Sequence, residues 1–179
     1  MIRPTLVLAA AMLAATAASA QPSPSNPPPP APRPTNAAMP FMMLAGESDV
    51  FEITSSKLAL EKSRDPQVRR FAVMLVEHHT ATTNTLLARA KAAGLTPPPA
   101  VLGPQKRRMI DELQAAPPAR FDQVYLQQQV PAHEEALALM TNYARTGDTP
   151  QLKTAAQAAV PIVTQHLEEA RRMSRGDRR

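Results

Sequence analysis

The chain of 179 residues contains only four histidines, and two of them are adjacent, in the segment FAVMLVEHHTATT at residues 71–83. A neutral imidazole can bind a transition metal, transfer a proton or form a buried hydrogen bond. The other two histidines, His133 and His166, lie in separate segments rich in alanine and glutamine. Because the chain has no cysteine, these rings and the carboxylates near them are the candidate metal ligands.

Each histidine segment shows the spacing of three and four residues that is typical of an amphipathic helix. His79 continues the apolar stripe of its helix, which also contains Val68, Phe71, Ala72, Leu75, Thr82 and Leu86. His133 and His166 continue the corresponding stripes of their own helices. His78 is rotated by about 100° from His79 around the helix axis. We therefore predict that His79 points inward and that His78 lies on the flank.

A fourth candidate, Glu52, lies in an earlier helical segment. It shares a line with small side chains at Ala45, Ser48, Ser55 and Ala59. These residues would leave room around the carboxylate. The segment around Glu52 therefore contributes a carboxylate, whereas the segments around His79, His133 and His166 each contribute an imidazole.

Within each predicted helical hairpin, the two candidate residues lie at similar distances from the connecting turn. Glu52 lies 14 residues before Pro66 and His79 lies 13 after it. His133 lies 17 residues before the second turn, at Pro150, and His166 lies 16 after it. At a rise of 1.5 Å per residue the members of each pair are nearly level, about 20 Å from the first turn and about 25 Å from the second. The sequence therefore predicts that the four side chains converge near the middle of a bundle.

Buried imidazoles and a buried carboxylate must be paired or ligated, because each is otherwise costly in an apolar core. In one interpretation, Glu52 and the three inward histidines hold a divalent ion, with an N₃O donor set suited to zinc, copper or iron. In the other, they form hydrogen bonds with each other, with trapped water and with nearby polar groups. The residues expected to support the site in a second layer are His78, Asp122, Tyr125 and Gln129.

The body of the chain is predicted to be all-α, because it is rich in helix formers and lacks alternating β-branched stretches. Four long helices are expected over about 42–63, 66–93, 119–145 and 150–173, with a short helix over 105–115. Asp65-Pro66 and Thr149-Pro150 each place an N-cap acceptor before a proline at the first helical position. Two helical hairpins joined by a crossover predict a four-helix bundle.

The N-terminus, MIRPTLVLAAAMLAATAASAQ, has one basic residue, an apolar run and the triplet Ala18-Ser19-Ala20. This pattern is typical of a secretory signal peptide over residues 1–20, cleaved after Ala20. The alternative is an uncleaved membrane anchor. Residues 21–40 are dominated by proline and predict a disordered spacer. We expect the bundle to occupy 41–173 and to be periplasmic.

The formal net charge of +5 is not spread over the bundle. Residues 37–170 carry 13 basic and 14 acidic residues, whereas the C-terminal segment RRMSRGDRR carries five arginines and one aspartate. The basic tail, residues 174–179, could contact an anionic surface of the envelope. A neutral body gives no reason to expect a nucleic-acid partner.

The segments FAVMLVEHHT, FDQVYLQQQVPAHEEAL and AAVPIVTQHLEEA, together with the signal peptide, resemble an exported bacterial ferritin-like family of unknown function. Its members are often labelled membrane or outer-membrane proteins. The resemblance covers about 41–173 and implies a ferritin-like bundle. The recurring polar positions of the family correspond to Glu52, His79, Asp122, Tyr125, His133, Pro161 and His166. The chain departs from the family at His78, where an aspartate is usual.

A shared fold does not establish a shared function. Di-iron proteins of this architecture use paired Glu-x-x-His motifs. The sequence contains no Glu-x-x-His, which argues against a two-iron oxidase. Three functions stay open. The first is an exported module that binds one metal ion, and the second is a structural or interaction protein of the cell envelope. The third is a mononuclear metalloenzyme with Tyr125 or Glu52 as its acid or base, although no catalytic or cofactor motif is visible.

Overall fold

The computed structural model describes residues 36–176. The predicted signal peptide, residues 21–35 of the proline-rich spacer and the last three residues of the basic tail lie outside the described residues. Five α-helices and no strand occur in the described range. They are α1 (Ala38–Lys62), α2 (Pro66–Ala92), α3 (Pro104–Ala115), α4 (Pro118–Thr146) and α5 (Pro150–Ser174). The prediction of an all-α bundle, with two hairpins and a short helix in the crossover, is confirmed.

Proline defines the start of four of the five helices, since α2, α3, α4 and α5 each have it in the first turn. Proline has no N–H to leave unpaired at this position. The predicted cap at Asp65 is present, because its Oδ1 accepts from the Gln67 N–H at 2.7 Å. The predicted cap at Thr149 is wrong. Its side chain forms no cap hydrogen bond, and its hydroxyl instead donates to Asp148 Oδ1 at 3.0 Å.

Helix α1 begins at Ala38, earlier than the predicted start at Met42. The reason is a set of contacts with the turn between α4 and α5. The Ala38 N–H donates to Asp148 Oδ2 at 3.3 Å, and the Asp148 N–H donates to the Asn36 carbonyl at 2.9 Å. One turn further along, the rings of Phe41 and Tyr143 stack with their centroids 3.8 Å apart. These long-range contacts were not visible in the local sequence pattern.

The four long helices form a ring in which each packs against two neighbours. Helix α1 contacts α2 and α4, while α5 contacts α2 and α4. Helix α3 covers one side of the ring through contacts with α1 and α4. Helices α4 and α5 continue through Pro131 and Pro161 respectively. The ring brings one face of every long helix to a common axis.

The apolar core is divided into two clusters along that axis. One contains Phe51, Phe71, Leu75, Leu113 and Phe121 and lies toward the α1–α2 turn. The other lies toward the α4–α5 turn, where its members include Phe41, Tyr143, Leu152, Ala156 and Ala159. Asp49 and the three inward histidines, His79, His133 and His166, lie at helix positions between the two clusters. The fold thus supports a polar layer near mid-bundle, which is where the sequence placed the candidate site.

None of the helices in the described range is long and apolar enough to cross a membrane.

Candidate metal centre

Each long helix contributes one side chain to the polar layer: Glu52 from α1, His79 from α2, His133 from α4 and His166 from α5. Their exposed fractions are 1 %, 3 %, 0 % and 0 %. At this depth no bulk water satisfies a polar atom, so each must be paired within the protein or through something bound there.

The three buried rings are close together. The ring centroids of His79, His133 and His166 are separated by 5.3 to 5.7 Å. One ring nitrogen from each lies within 4.8 Å of the others. Glu52 Oε1 lies 3.7 Å from His133 Nδ1. The structure therefore brings the four predicted residues together, and three of them have the spacing of a metal-binding group.

His79 is held by Asp49 of α1. The His79 Nδ1 and Asp49 Oδ1 atoms are 2.8 Å apart, and both side chains are buried. Two threonines of α2 fix the carboxylate, since Thr83 Oγ1 donates to Asp49 Oδ2 at 2.6 Å and Thr82 Oγ1 lies 3.3 Å from both oxygens. A carboxylate on one ring nitrogen orients the imidazole and leaves the other nitrogen for a ligand.

His133 is held by the main chain of its own helix. Its Nδ1 donates to the Gln129 carbonyl, one turn earlier, at 2.9 Å. The Gln129 side chain turns to α1, where its amide donates to Ser55 Oγ at 3.2 Å. Gln129 thus contacts His133 through its backbone carbonyl, while its side chain contacts α1.

His166 is held by the outer member of the adjacent pair. His78 Nδ1 and His166 Nε2 are 2.8 Å apart, and the two rings stack with centroids at 5.1 Å. His78 itself is half-buried. The sequence predicted a place for His78 on the flank of α2 without naming its partner, and the structure places it against His166 of α5.

The other two predicted supporting residues are not joined to the four by a hydrogen bond within residues 36–176. Tyr125 and Ser56 share a hydrogen bond of 2.9 Å between their hydroxyls. Burial raises the pKa of Tyr125, and the nearby charge of Glu52 adds to the shift. This weakens the idea of Tyr125 as an acid or base near neutral pH. Asp122 Oδ1 is buried and has no hydrogen-bond partner in the described part of the chain.

Five buried atoms of the four candidate residues have no hydrogen-bond partner among the described residues. They are Glu52 Oε1, Glu52 Oε2, His79 Nε2, His133 Nε2 and His166 Nδ1. Leaving a buried polar atom unpaired is unfavourable, and a native structure usually has a reason for it. The three histidines form one group of potential metal ligands, and the Glu52 carboxylate lies beside His133.

The environment shifts the three histidines in different directions. Burial lowers the pKa of His166 to about 2, and electrostatic repulsion from the neighbouring His79, His133 and His78 adds to this shift. Burial also lowers the pKa of His133, despite the opposing charge of Glu52. For His79, burial is outweighed by the Asp49 hydrogen bond and by the charges of Glu52 and Asp49, so its pKa is raised. Two of the three rings are therefore kept neutral, as metal ligation requires.

A cleft of about 130 Å³ lies beside the layer, with walls mainly from α2 and α5 and smaller contributions from α1 and α4. Six of its fourteen lining residues are alanine, and its larger apolar residues include Phe41, Leu86 and Ile162. His78 and Asp49, which contact two of the buried rings, also line it. The cleft therefore reaches the outer side of the polar layer.

The contribution of Asp49 was missed by the sequence reasoning, which followed the line through Ser48 and Ser55. Ser55 is buried and Ser48 is only partly buried, and α1 also has a second buried line that contains Ala45, Asp49, Glu52, Ser56 and Ala59. These positions are separated alternately by four and three residues, which is the spacing of a helix seam in a bundle. Comparing the spacing of the two lines of α1 residues would have predicted that Asp49 is a buried carboxylate, one helical turn before Glu52.

The chain matches the family described as "Domain of unknown function (DUF4142)" over residues 23–173. Among curated proteins, no significant sequence match is found.

Solved structures with the same arrangement of helices include two forms of CopM and a DUF305 fragment from Deinococcus radiodurans. CopM in the Cu(II)-bound form has a TM-score of 0.66 at 14 % identity, over 78 % of this chain and 97 % of that one. CopM in the Cu(I)-bound form has a TM-score of 0.67 at 15 % identity, over 78 % and 96 %. The DUF305 fragment has a TM-score of 0.66 at 16 % identity, over 82 % and 98 %. At these identities the likeness establishes the fold.

Proposed function

This chain belongs to the DUF4142 family, whose domain has no known function, and from that premise we propose that its bundle binds one transition-metal ion. The proposed ligand atoms are Nε2 of His79, Nε2 of His133, Nδ1 of His166 and the carboxylate of Glu52. The observation that carries the proposal is that these atoms are buried, unpaired and contributed by side chains that meet in one layer.

The surroundings of the ligand atoms support a cation better than a network of neutral hydrogen bonds. A buried carboxylate needs a positive partner or several donors, and Glu52 has no hydrogen-bond donor in the described part of the chain. The outer nitrogen of His79 already contacts Asp49, and that of His133 already contacts a backbone carbonyl. Outer contacts of this kind are typical of histidines that bind metal.

The donor set also suggests the class of metal. Imidazole nitrogens suit zinc, copper and iron, and Cu²⁺ generally binds such sites most tightly among the divalent first-row ions. CopM, which shares the fold, has been solved with Cu(I), Cu(II) and silver bound. We therefore propose copper as the first candidate, with Zn²⁺ and Fe²⁺ as the competitors to be compared with it.

The proposed role is to hold or buffer the metal rather than to catalyse a reaction. Four ligands supplied by the protein form a closed site, whereas catalytic metal sites usually keep one position open for water or substrate. The absence of a Glu-x-x-His motif from the sequence also separates this site from the di-iron centres of ferritin-like proteins. We propose that the likeness to ferritin-like proteins is limited to the arrangement of the helices.

The proposal predicts one bound metal ion per chain. The full chain should be purified without an affinity tag, because a histidine tag would itself bind metal, and then analysed for metal content and titrated with Cu²⁺, Zn²⁺ and Fe²⁺. We expect saturation at one ion per chain, with Cu²⁺ the tightest. Failure of all three ions to bind would overturn the proposal and favour a structural or interaction role at the cell envelope.

We further propose that the protein is exported and that its bundle acts in the periplasm. The support is the N-terminal apolar run ending in Ala18-Ser19-Ala20, a pattern typical of a cleaved signal peptide. N-terminal sequencing of the protein from the periplasmic fraction should begin at Gln21. An intact N-terminus recovered with the membrane fraction would contradict cleavage and favour an anchored form.

A further inference from the structure

The outer contacts of two of the three rings fix where each ring carries its proton. Asp49 is a carboxylate and can only accept from His79 Nδ1, at 2.8 Å. The Gln129 carbonyl likewise can only accept from His133 Nδ1, at 2.9 Å. In their neutral forms both rings therefore carry the proton on Nδ1, and Nε2 has a free lone pair. Two of the proposed nitrogen donors are thus ready to bind a metal.

His166 differs from the other two because its outer partner is another imidazole. The 2.8 Å contact between His166 Nε2 and His78 Nδ1 can have its hydrogen on either nitrogen. If His78 donates, the single proton of neutral His166 lies on the buried Nδ1, which then cannot ligate. If His166 donates, Nδ1 has a free lone pair. The two arrangements carry the same charge and differ only in which ring donates.

Building on the proposed function, we propose that His78 is a positioning residue that accepts the Nε2–H of His166 and so makes Nδ1 the third nitrogen donor. Two observations support this direction. His166 Nδ1 has no acceptor among the described residues, so a proton there would be buried and unpaired. His78 is only half-buried and lines the α2–α5 cleft. Its own N–H, placed on Nε2 in this arrangement, is on the ring that is nearer to solvent.

The proposal is tested by changing the acceptor at position 78 without changing its charge. In His78→Asn, the side-chain carbonyl occupies a position similar to that of Nδ1 and can still accept from His166. In His78→Leu, no acceptor remains. We expect His78→Asn to bind Cu²⁺ within a few-fold of the wild type, and His78→Leu to bind it about 10–100-fold more weakly, the usual loss when an outer partner of a metal ligand is removed.

Thr85→Val provides the matched control, because Thr85 also lines the cleft but has no described contact with the buried rings. It should bind Cu²⁺ like the wild type. Equal affinities for His78→Asn, His78→Leu and the wild type would overturn the proposal. Equal losses in both variants would also overturn it, because they would show that only the shape of the histidine matters.

A second measurement does not depend on the variants. Nitrogen-15 NMR of the histidine rings in the wild-type chain loaded with Zn²⁺, a diamagnetic probe, should show His166 protonated on Nε2 and His78 protonated on its own Nε2. A proton on His166 Nδ1 in a chain that binds one Zn²⁺ would overturn the role of His78 while leaving the proposed function intact. A wild-type chain that binds no metal would overturn both.

Discussion

Replacing His79 by alanine is expected to abolish metal binding, one of the largest effects expected of a single substitution at the proposed site. The change removes one of three nitrogen donors and leaves the buried Asp49 without its imidazole partner, so that among the described residues only the Thr82 and Thr83 hydroxyls still donate to it. Loss of a ligand should exceed the roughly 10–100-fold loss that follows removal of an outer partner. Isothermal titration with Cu²⁺ measures the difference directly.

The same substitution should also remove the stabilisation of the fold by metal. A ligand present at 100 times its dissociation constant stabilises a native protein by about 2.7 kcal/mol. The wild type should show this gain in chemical unfolding with and without Cu²⁺, and His79→Ala should show none. Because loss of the imidazole donor to Asp49 could destabilise the variant by itself, His79→Asn is the better matched change, since its side-chain amide lies near the position of Nδ1 and can still donate to the carboxylate.

Replacing His78 gives the contrast within the adjacent pair. His78→Ala should still bind one ion at saturation, although more weakly, because His78 contacts His166 without being a proposed ligand. If His78→Ala and His79→Ala reduced binding equally, the division of the pair into an outer and an inner ring would be wrong. The ligand set would then have to be assigned again.

The metal-free protein is expected to lose stability as the pH falls below about 6.5. The folded-state pKa of His166 is lowered from its ordinary value of 6.5 to about 2, first by burial and then by the neighbouring histidines. The pKa of His133 is lowered for the same first reason. Between the folded-state and unfolded-state pKa values of each ring, the unfolded chain binds a proton that the folded chain does not bind. The free energy of unfolding therefore increases with pH over this range. Each such group contributes about 1.4 kcal/mol per pH unit.

His79 acts in the opposite sense. Its raised folded-state pKa contributes stability below 6.5 that is lost as the pH rises through the folded value. The lowered pKa values of His133 and His166 therefore act against the raised pKa of His79. We expect the net result to be a fold that is less stable in acid. Urea unfolding of the chelated protein at about pH 7 and about pH 5 tests this in a range where ordinary carboxylates stay ionised. His166→Asn should flatten the dependence, and an unchanged midpoint in the wild type would contradict the expectation.

Much of the fold could be predicted because its signals are local. Asp65 followed by Pro66 defines a helix start through the chemistry of two adjacent residues, and the structure places α2 there. The levels of Glu52 and the inward histidines followed from the helical rise and the two short turns. These quantities depend on the backbone alone, so the approach of the four side chains could be anticipated.

The outer contacts of the site could not be predicted in the same way. Whether His78 supports His79 or His166 depends on the separation of α2 and α5, which is set by packing rather than by helical periodicity. Asp49 was missed because the predicted line of small residues on α1 includes Ser48, whereas the docked neighbours bury Asp49 and leave Ser48 partly exposed. Thr149 shows the same limit, since its hydroxyl contacts Asp148 instead of closing its own helix.

The contacts at the start of α1 determine which fragments of the bundle can keep their native helix ends. Its N-cap residue, Ala37, provides no side-chain cap, and Asp148, 110 residues away, accepts from the first helical N–H instead. Phe41 likewise stacks on Tyr143 of α4. An excised α1–α2 hairpin would therefore lose both its cap and its ring contact, and its first turn would fray. The smallest fragment expected to keep its native helix ends is the whole bundle, so the hairpins are not interchangeable modules.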